Sequence, residues 1–295
     1  MINPQRCRTI RKGRFNGNSV LYWMNRDKRV NDNWALLAAQ QCALKNKSSL
    51  IVCYNYIGNF PEANIRQYGF LFKGLKEVHE TLCNLNIDFF LLNGQAHKVI
   101  PDLVEKMSIG TIFTDYNPLN IYKKRIDRVA KNIRIPFYQI DAHNIVPCWI
   151  ASEKKEYAAY TIRGKISKKL NLFLTDIPKV TQHPIGRTIA PNWSLQKVLD
   201  SLKIDHSVKE VDWILPGPKQ AEEKLDVLKF KLKDYSVNRN DPTKNALSNL
   251  SPYFHFGHIS PQRVAYEIKK SDLPKLDKSS FLEEMIIRRE LSDNF

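Results

Sequence analysis

The apolar positions in the first half of the chain fall into short continuous runs, separated by stretches with helical spacing. Runs of this length, rich in β-branched and aromatic residues, predict buried strands. They cover residues 19–24, 49–56, 87–92, 110–114 and 135–140. Helices are predicted between them, over about 32–45, 71–85, 99–107 and 119–132, and Asp32 is predicted to cap the first of these helices.

Strands that alternate with helices of this length predict a parallel sheet with helices on both faces. The predicted fold class is therefore α/β, with an N-terminal Rossmann-like parallel sheet of five strands. The first strand is not followed by G-x-G-x-x-G, and G-x-x-x-x-G-K-[ST] does not occur. A conventional dinucleotide or P-loop site is therefore not predicted in this half of the chain.

The pattern changes after Asp141. A helix is predicted over 157–176, a proline-containing connector over 178–218, and further helices over 220–235, 260–270 and 279–295. We therefore divide the chain into a flexible leader (1–18), an α/β domain (19–150), an interdomain connector with one helix (151–218) and the beginning of an all-α domain (219–295).

The chain is strongly basic. It has 46 Lys and Arg against 30 Asp and Glu, which gives a formal net charge of +16. A polyanionic partner such as nucleic acid accounts for this excess, and so does a lysine-rich composition without such a partner. The five cysteines form no C-x-x-C pair and are interpreted as reduced thiols. Neither a signal peptide nor a membrane span is predicted, so a cytoplasmic location is expected.

Candidate chemistry lies in the second half. The segment 245–261 is dense in small polar and aromatic residues, and Ser248, Asn249 and Ser251 lie near a predicted helix start. Free N–H groups there suit a phosphate, whereas local hydrogen bonding explains a capped loop equally well.

Two further pairs have residues four positions apart, which places each pair on one helix face. Glu284 and Arg288 form one pair, and Tyr235 and Arg239 form the other. The spacing does not separate a site from an ordinary surface ion pair for Glu284 and Arg288, and a pair such as Tyr235 and Arg239 is more often an ordinary helix surface. The seven histidines show no ligand spacing, so a metal site is not predicted.

Five ordered motifs, spread over nearly the whole chain, resemble those of the class II DNA photolyases, which act on cyclobutane pyrimidine dimers. They are VLYWMNRDKRVNDNWALLAAQ (20–40), FLFKGLKEVHETL (70–82), EYAAYTIRGKI (156–166), SNLSPYFHFGHISPQRV (248–264) and FLEEMIIRREL (281–291). The resemblance implies light-dependent DNA repair, in which reduced FAD passes an electron to the dimer. It also implies an antenna chromophore of deazaflavin or folate type, UV-damaged double-stranded DNA as the partner, and a monomer.

The resemblance also assigns roles to individual positions. Glu284 matches the acidic residue that hydrogen-bonds the dimer bases, and is the predicted catalytic residue. The predicted FAD-binding residues are Tyr235, Arg239, Leu247, Ser248, Asn249, Leu250, Ser251 and Arg288.

This chain departs from the family pattern in two ways. Tyr160 and Gly164 stand where Arg and Pro are expected. The chain also stops at Phe295, whereas the family's helical domain continues, so we expect the polypeptide alone to be a partial form that binds FAD weakly or not at all. Two alternatives are a non-enzymatic photolyase/cryptochrome-like remnant or light-sensing module, and a generic basic α/β nucleic-acid-binding protein.

Overall fold

The first part of the chain, which ends at residue 147, is built on one mixed sheet, and the second part begins at residue 148. The computed structural model describes residues 2–60, 62–186, 192–205 and 207–294. The strands of the sheet are β1 Cys7–Arg11, β2 Ser19–Met24, β3 Ser49–Tyr56, β4 Asp88–Asn93, β5 Ile109–Asp115 and β6 Phe137–Ile140. In space they run in the order β1-β6-β5-β2-β3-β4.

Helices join the strands and make up the second part of the chain. Those of the first part are α1 Trp34–Lys45, α2 Ile65–Asn84, α3 Ala96–Lys106 and α4 Asn120–Lys131. Those of the second part are α5 Cys148–Ala151, α6 Ala159–Phe173, α7 Leu195–Asp200, α8 Pro218–Lys231, α9 Tyr235–Asn238, α10 Ser251–Phe256, α11 Pro261–Lys270, α12 Lys275–Leu282 and α13 Arg289–Asn294. A π-helical turn, Glu283–Arg288, joins α12 to α13. No helix in the described ranges is long and apolar enough to cross a membrane.

The predicted α/β fold class is confirmed, and the sheet has one strand more than predicted. The strands from β2 to β6 are parallel, and β1 pairs antiparallel with β6 at the edge. The leader prediction is therefore wrong over residues 4–11, which form a short 3₁₀ turn followed by β1. Pairing with β6 orders this segment although its sequence is polar and carries no strand signal of its own.

The start of α1 also differs from the prediction. Asn33, not Asp32, caps the helix, because its side-chain oxygen accepts from the N–H groups of Ala35 and Leu36 at 3.0 and 3.1 Å. Asp32 has a left-handed backbone, with φ of 52°, and its carboxylate instead accepts from Arg263 on α11 at 2.8 Å. The Asp32 carboxylate thus pairs with a residue 231 positions away instead of with the helix start.

Apolar side chains cover both faces of the sheet. One face of the sheet packs against α1 and α2, and the other against α3 and α4. Two further apolar clusters hold the helices of the second part together. Arg6 connects the parts: its guanidinium is buried and donates to the carbonyls of Asn144 and Ile145 and to Gln262 of α11, at 2.8–2.9 Å.

Candidate functional site

Glu284 lies in the π-helical turn between α12 and α13. A π turn inserts an extra residue into the helical repeat and changes the direction of the side chains around it. Glu283 pairs with Arg163 on α6 at 2.6 Å, whereas Glu284 pairs with Arg239, which directly follows α9, at 2.9 Å. Two consecutive carboxylates therefore face different neighbours. Arg288 Nε also lies 3.1 Å from Glu284 Oε1, which confirms the ion pair that the four-residue spacing allowed.

The other predicted pair lies at the short helix α9, which begins at Tyr235 and is followed by Arg239. Asp277 of α12 fixes its start, since its carboxylate accepts from the N–H groups of Asp234 and Ser236 at 3.0 and 2.8 Å. Tyr235 packs edge-on against Phe281, with ring centroids 5.5 Å apart. Burial raises the pKa of the Tyr235 phenol, and the charge of Glu284 raises it further.

Arg239 connects the two pairs, and Tyr235, Arg239, Glu284 and Arg288 together form the Glu284 cluster. The guanidinium of Arg239 lies over the Tyr235 ring, 5.9 Å from the centroid, and contacts both Glu284 and the Ser280 carbonyl. Its Nε is buried and has no hydrogen-bond partner within the described ranges. A buried, unsatisfied N–H donor is costly and fits an additional acceptor such as a phosphate or carbonyl oxygen. The residues present are therefore compatible with an anionic, oxygen-rich cofactor such as FAD.

The loop 247–251 approaches this cluster through one side chain. Leu250 is fully buried in the same apolar cluster as Tyr235 and Phe281. Ser248 is engaged locally, because its hydroxyl accepts from the Leu250 N–H at 3.3 Å. Asn249 has a left-handed φ of 57°, and Leu247 is 54% exposed. Ser251 begins α10 and is exposed.

The structure thus brings five of the nine predicted residues into one neighbourhood: Tyr235, Arg239, Leu250, Glu284 and Arg288. In the described ranges no hydrogen bond connects the remaining four loop residues to Glu284. The observed Ser248 bond is of the kind that a capped loop makes, and the phosphate-binding role of this loop remains a prediction.

A cavity of about 680 Å³ lies elsewhere, at the carboxyl edge of the sheet. The strand order reverses beside β2, which has β3 on one side and β5 on the other, and ligands of open α/β sheets bind at such a point. Arg26 follows β2, Tyr56 ends β3 and Asn117 follows β5. The second part closes the cavity with α10 and α13, through residues that include His255 and Asp293.

Aromatic rings and cations line this cavity. The aromatic lining residues are Tyr54, Tyr56, Phe60, Tyr68, Tyr122 and Phe256. Arg26 pairs with Asp293 at 2.5 Å, and Arg125 lies over the ring of Tyr122, 4.9 Å from its centroid. Lys28 is buried, and burial lowers the pKa of its ammonium group to about 8. Such a lining suits a flat ligand that carries negative charge.

The turn after β2 keeps its shape without a glycine-rich phosphate-binding motif. The N–H groups of Asn25, Arg26 and Asp27 donate to the carboxylate of Asp115 at 2.7, 2.5 and 2.6 Å. Successive N–H groups of this kind hold a phosphate in glycine-rich turns. Here a carboxylate of the chain itself, at the end of β5, occupies that position.

Sequence reasoning missed the residues of this cavity. A signal was available, since Asn25 and Arg26, Asn55 and Asn117 follow or end parallel strands as polar residues. The carboxyl ends of such strands meet at one edge. Glycine-rich phosphate motifs do not mark this edge, because Asp115 fills the turn.

Comparison with known proteins finds relatives that match both the sheet and the helices that follow it. A family model described as DNA photolyase matches residues 20–183, more than half of the chain. Proteins named deoxyribodipyrimidine photo-lyase align over the whole chain, with 43% identity in Potorous tridactylus, 39% in Arabidopsis thaliana and 32% in Methanothermobacter thermautotrophicus. The chain belongs to the DNA photolyase family, and these matches fit the class II resemblance.

The chain spans 57%, 63% and 65% of the lengths of these three relatives. Solved structures share the fold. A class III photolyase from Agrobacterium tumefaciens and a cryptochrome from Synechocystis each superpose with a TM-score of 0.71, at 21% and 17% identity. Each alignment covers 94% of this chain, and 58% and 61% of the respective neighbour.

Proposed function

We propose that this chain functions in light-dependent repair of cyclobutane pyrimidine dimers in DNA, with FAD as its redox cofactor. The observation that carries the proposal is Glu284, held by Arg239 and Arg288 beside a buried guanidinium N–H that lacks a partner in the described ranges. Reduced FAD would supply the light-driven electron when bound. The names of the relatives and the excess of positive charge support damaged double-stranded DNA as the partner.

Each residue of the cluster has a proposed task. Both guanidinium contacts of Glu284 fall on Oε1, which leaves Oε2 for an N–H donor of a flipped base. Arg239 fixes the carboxylate and offers its Nε to a cofactor oxygen. The Tyr235 ring packs against the Arg239 guanidinium and holds it in place. The buried Leu250 side chain holds the loop 247–251 near the same cofactor.

The test is a chimera in which the C-terminal part of the Potorous tridactylus relative continues this chain. We expect visible light to remove dimers from UV-irradiated plasmid in its presence, and darkness to leave them. Glu284→Gln should lower the rate about 10²-fold or more, because the residue acts on the reacting bases. Glu283→Gln is the matched control, since the neighbouring carboxylate faces Arg163 and should leave repair unchanged.

Two outcomes would contradict the proposal. A folded, flavin-loaded chimera that repairs nothing in light would favour the alternative of a non-enzymatic, cryptochrome-like role. Repair at the normal rate by the Glu284→Gln chimera would remove the assigned role of that residue. Both results are read as dimers remaining in the plasmid, beside flavin absorbance in the same sample.

We also propose that the cavity at the sheet edge takes the antenna chromophore. Its volume, aromatic walls and cations suit a planar deazaflavin or a folate. We expect the purified chain to bind such a ligand and to retain little FAD, because the Glu284 cluster is open to solvent while the cavity is walled on both sides. Equilibrium dialysis with each ligand measures this, and tight FAD binding by the chain alone would contradict it.

Two smaller proposals concern the state of the protein. All five cysteines are free thiols, which supports a reducing compartment and hence the cytoplasm. We further propose a monomer, which light scattering at several concentrations tests.

A further inference from the structure

Tyr160 and Gly164 lie on an exposed surface formed by α6 and the segment before it. Tyr160 lies in the first turn of this helix, and Tyr157 lies just before it. Their side chains are 66% and 71% exposed. A Cβ at Gly164, one turn further along, would meet no atom within 4 Å. This surface is therefore open, and Tyr157 and Tyr160 form an aromatic pair on it.

The two rings hold each other in place. Their hydroxyl oxygens lie 2.8 Å apart, and the rings meet edge to face, with centroids 5.9 Å apart and planes at 83°. Two exposed aromatic rings in contact form a small apolar patch, and exposed apolar patches are candidate sites of interaction. Because the pair is already ordered, a ligand that stacks on it loses little side-chain entropy.

The surroundings of the pair are basic rather than apolar. Between residues 153 and 169 there are six cationic side chains and two carboxylates. One carboxylate, Glu156, is engaged by Lys165, and nearby Glu283 is engaged by Arg163. Lys154, Lys155 and Lys168 have exposed side chains with no ion pair in the described ranges. The unpaired positive charge favours a polyanion over an apolar protein surface.

We infer that Tyr157 and Tyr160 form a stacking platform for unpaired bases of a nucleic-acid strand, whose phosphates lie against Lys154, Lys155 and Lys168. Exposed aromatic rings beside lysines are the combination that binds single strands, since every base offers a face for stacking and every phosphate a charge. Duplex DNA hides its base faces, so it should use the lysines but not the rings. The inference depends on neither FAD nor lesion repair.

The test measures fluorescence anisotropy of labelled oligothymidine titrated with the purified chain. Removing both rings in Tyr157→Ala/Tyr160→Ala should weaken binding about tenfold or more, with little change for an undamaged duplex. The conservative pair Tyr157→Phe/Tyr160→Phe keeps the rings and should restore binding. Phe230→Ala is the matched control: this ring is 75% exposed on α8, but Lys229 lies over it, 5.4 Å from its centroid.

Salt dependence separates the two contributions. The tyrosine variants should leave the slope of log affinity against log salt unchanged, whereas each of Lys154→Gln and Lys155→Gln should lower it by about 0.7. The proposal is overturned if the double alanine variant has a native circular dichroism spectrum and binds the single strand as tightly as the original chain does. An equal loss in Phe230→Ala, or in the phenylalanine pair, overturns it as well.

Discussion

The sheet-edge cavity and the Glu284 cluster are built in opposite ways. The cavity is walled by both parts of the chain, and the N–H groups of its lining residues Asn25 and Arg26 donate to Asp115, which is fully buried. The Glu284 cluster lies on a helix surface, where the side chains of Glu284 and Arg288 are 38% and 57% exposed. Buried hydrogen bonds to the backbone therefore hold the cavity, whereas ion pairs that water screens hold the Glu284 cluster.

The largest expected effect is at Asp115. Asp115→Ala should lower the free energy of unfolding by about 3–5 kcal/mol, because it leaves three successive N–H groups buried without an acceptor. Urea unfolding followed by circular dichroism measures this. Asp127→Ala, on the exposed face of α4, is the control and should change stability by about 0.5 kcal/mol at most. A loss below about 1 kcal/mol at Asp115 would mean that the turn does not depend on this carboxylate.

The second effect is a pH dependence at Glu290 of α13, the helix that closes the cavity. Burial raises the pKa of its carboxyl to about 8, although the Arg289 guanidinium, 3.2 Å from Oε1, and the Ile145 N–H, which donates to Oε1 at 2.6 Å, act to lower it. The folded state therefore holds this proton more tightly than the unfolded state does. Its contribution to stability is present at acidic pH and is lost as the pH rises to about 8.

Glu290→Gln removes that titration. Over the pH range from the usual carboxyl pKa to about 8, the free energy of unfolding of the original chain should fall by on the order of 1 kcal/mol per pH unit because of this group. The variant should not show this fall. Urea midpoints across this range measure the difference. Glu267→Gln is the control, because Glu267 pairs with Arg263 at the surface, and its profile should follow that of the original chain. Parallel profiles for Glu290→Gln and the original chain would contradict the assignment.

The smallest effects are in the Glu284 cluster. Arg239→Ala should cost about 1 kcal/mol, because this side chain is 25% exposed and packs on Tyr235, whereas Arg288→Ala should cost about 0.3 kcal/mol. Double-mutant cycles with Glu284→Gln isolate each pair. A coupling for Arg288 as large as that for Arg239 would show that the cluster is less open than its exposure indicates.

Prediction from the sequence worked best where a pattern is local. The run at 49–56 was predicted as a buried strand, and β3 spans Ser49–Tyr56. The spacing of Glu284 and Arg288 correctly allowed an ion pair. Prediction failed where distant residues take part: β1 pairs with β6, more than 120 positions away, and the carboxylate of Asp32 pairs with Arg263 while Asn33 caps α1.

The amino-acid sequence by itself determined the alternation of strands and helices, the family and the positions able to carry the chemistry, because apolar periodicity and motif spacing act over a few residues. The tertiary structure alone decided which carboxylate faces which guanidinium, that Asp115 fills the turn after β2, and that two parts of the chain enclose one cavity. These features depend on groups brought together across the chain, and no local pattern encodes such distances.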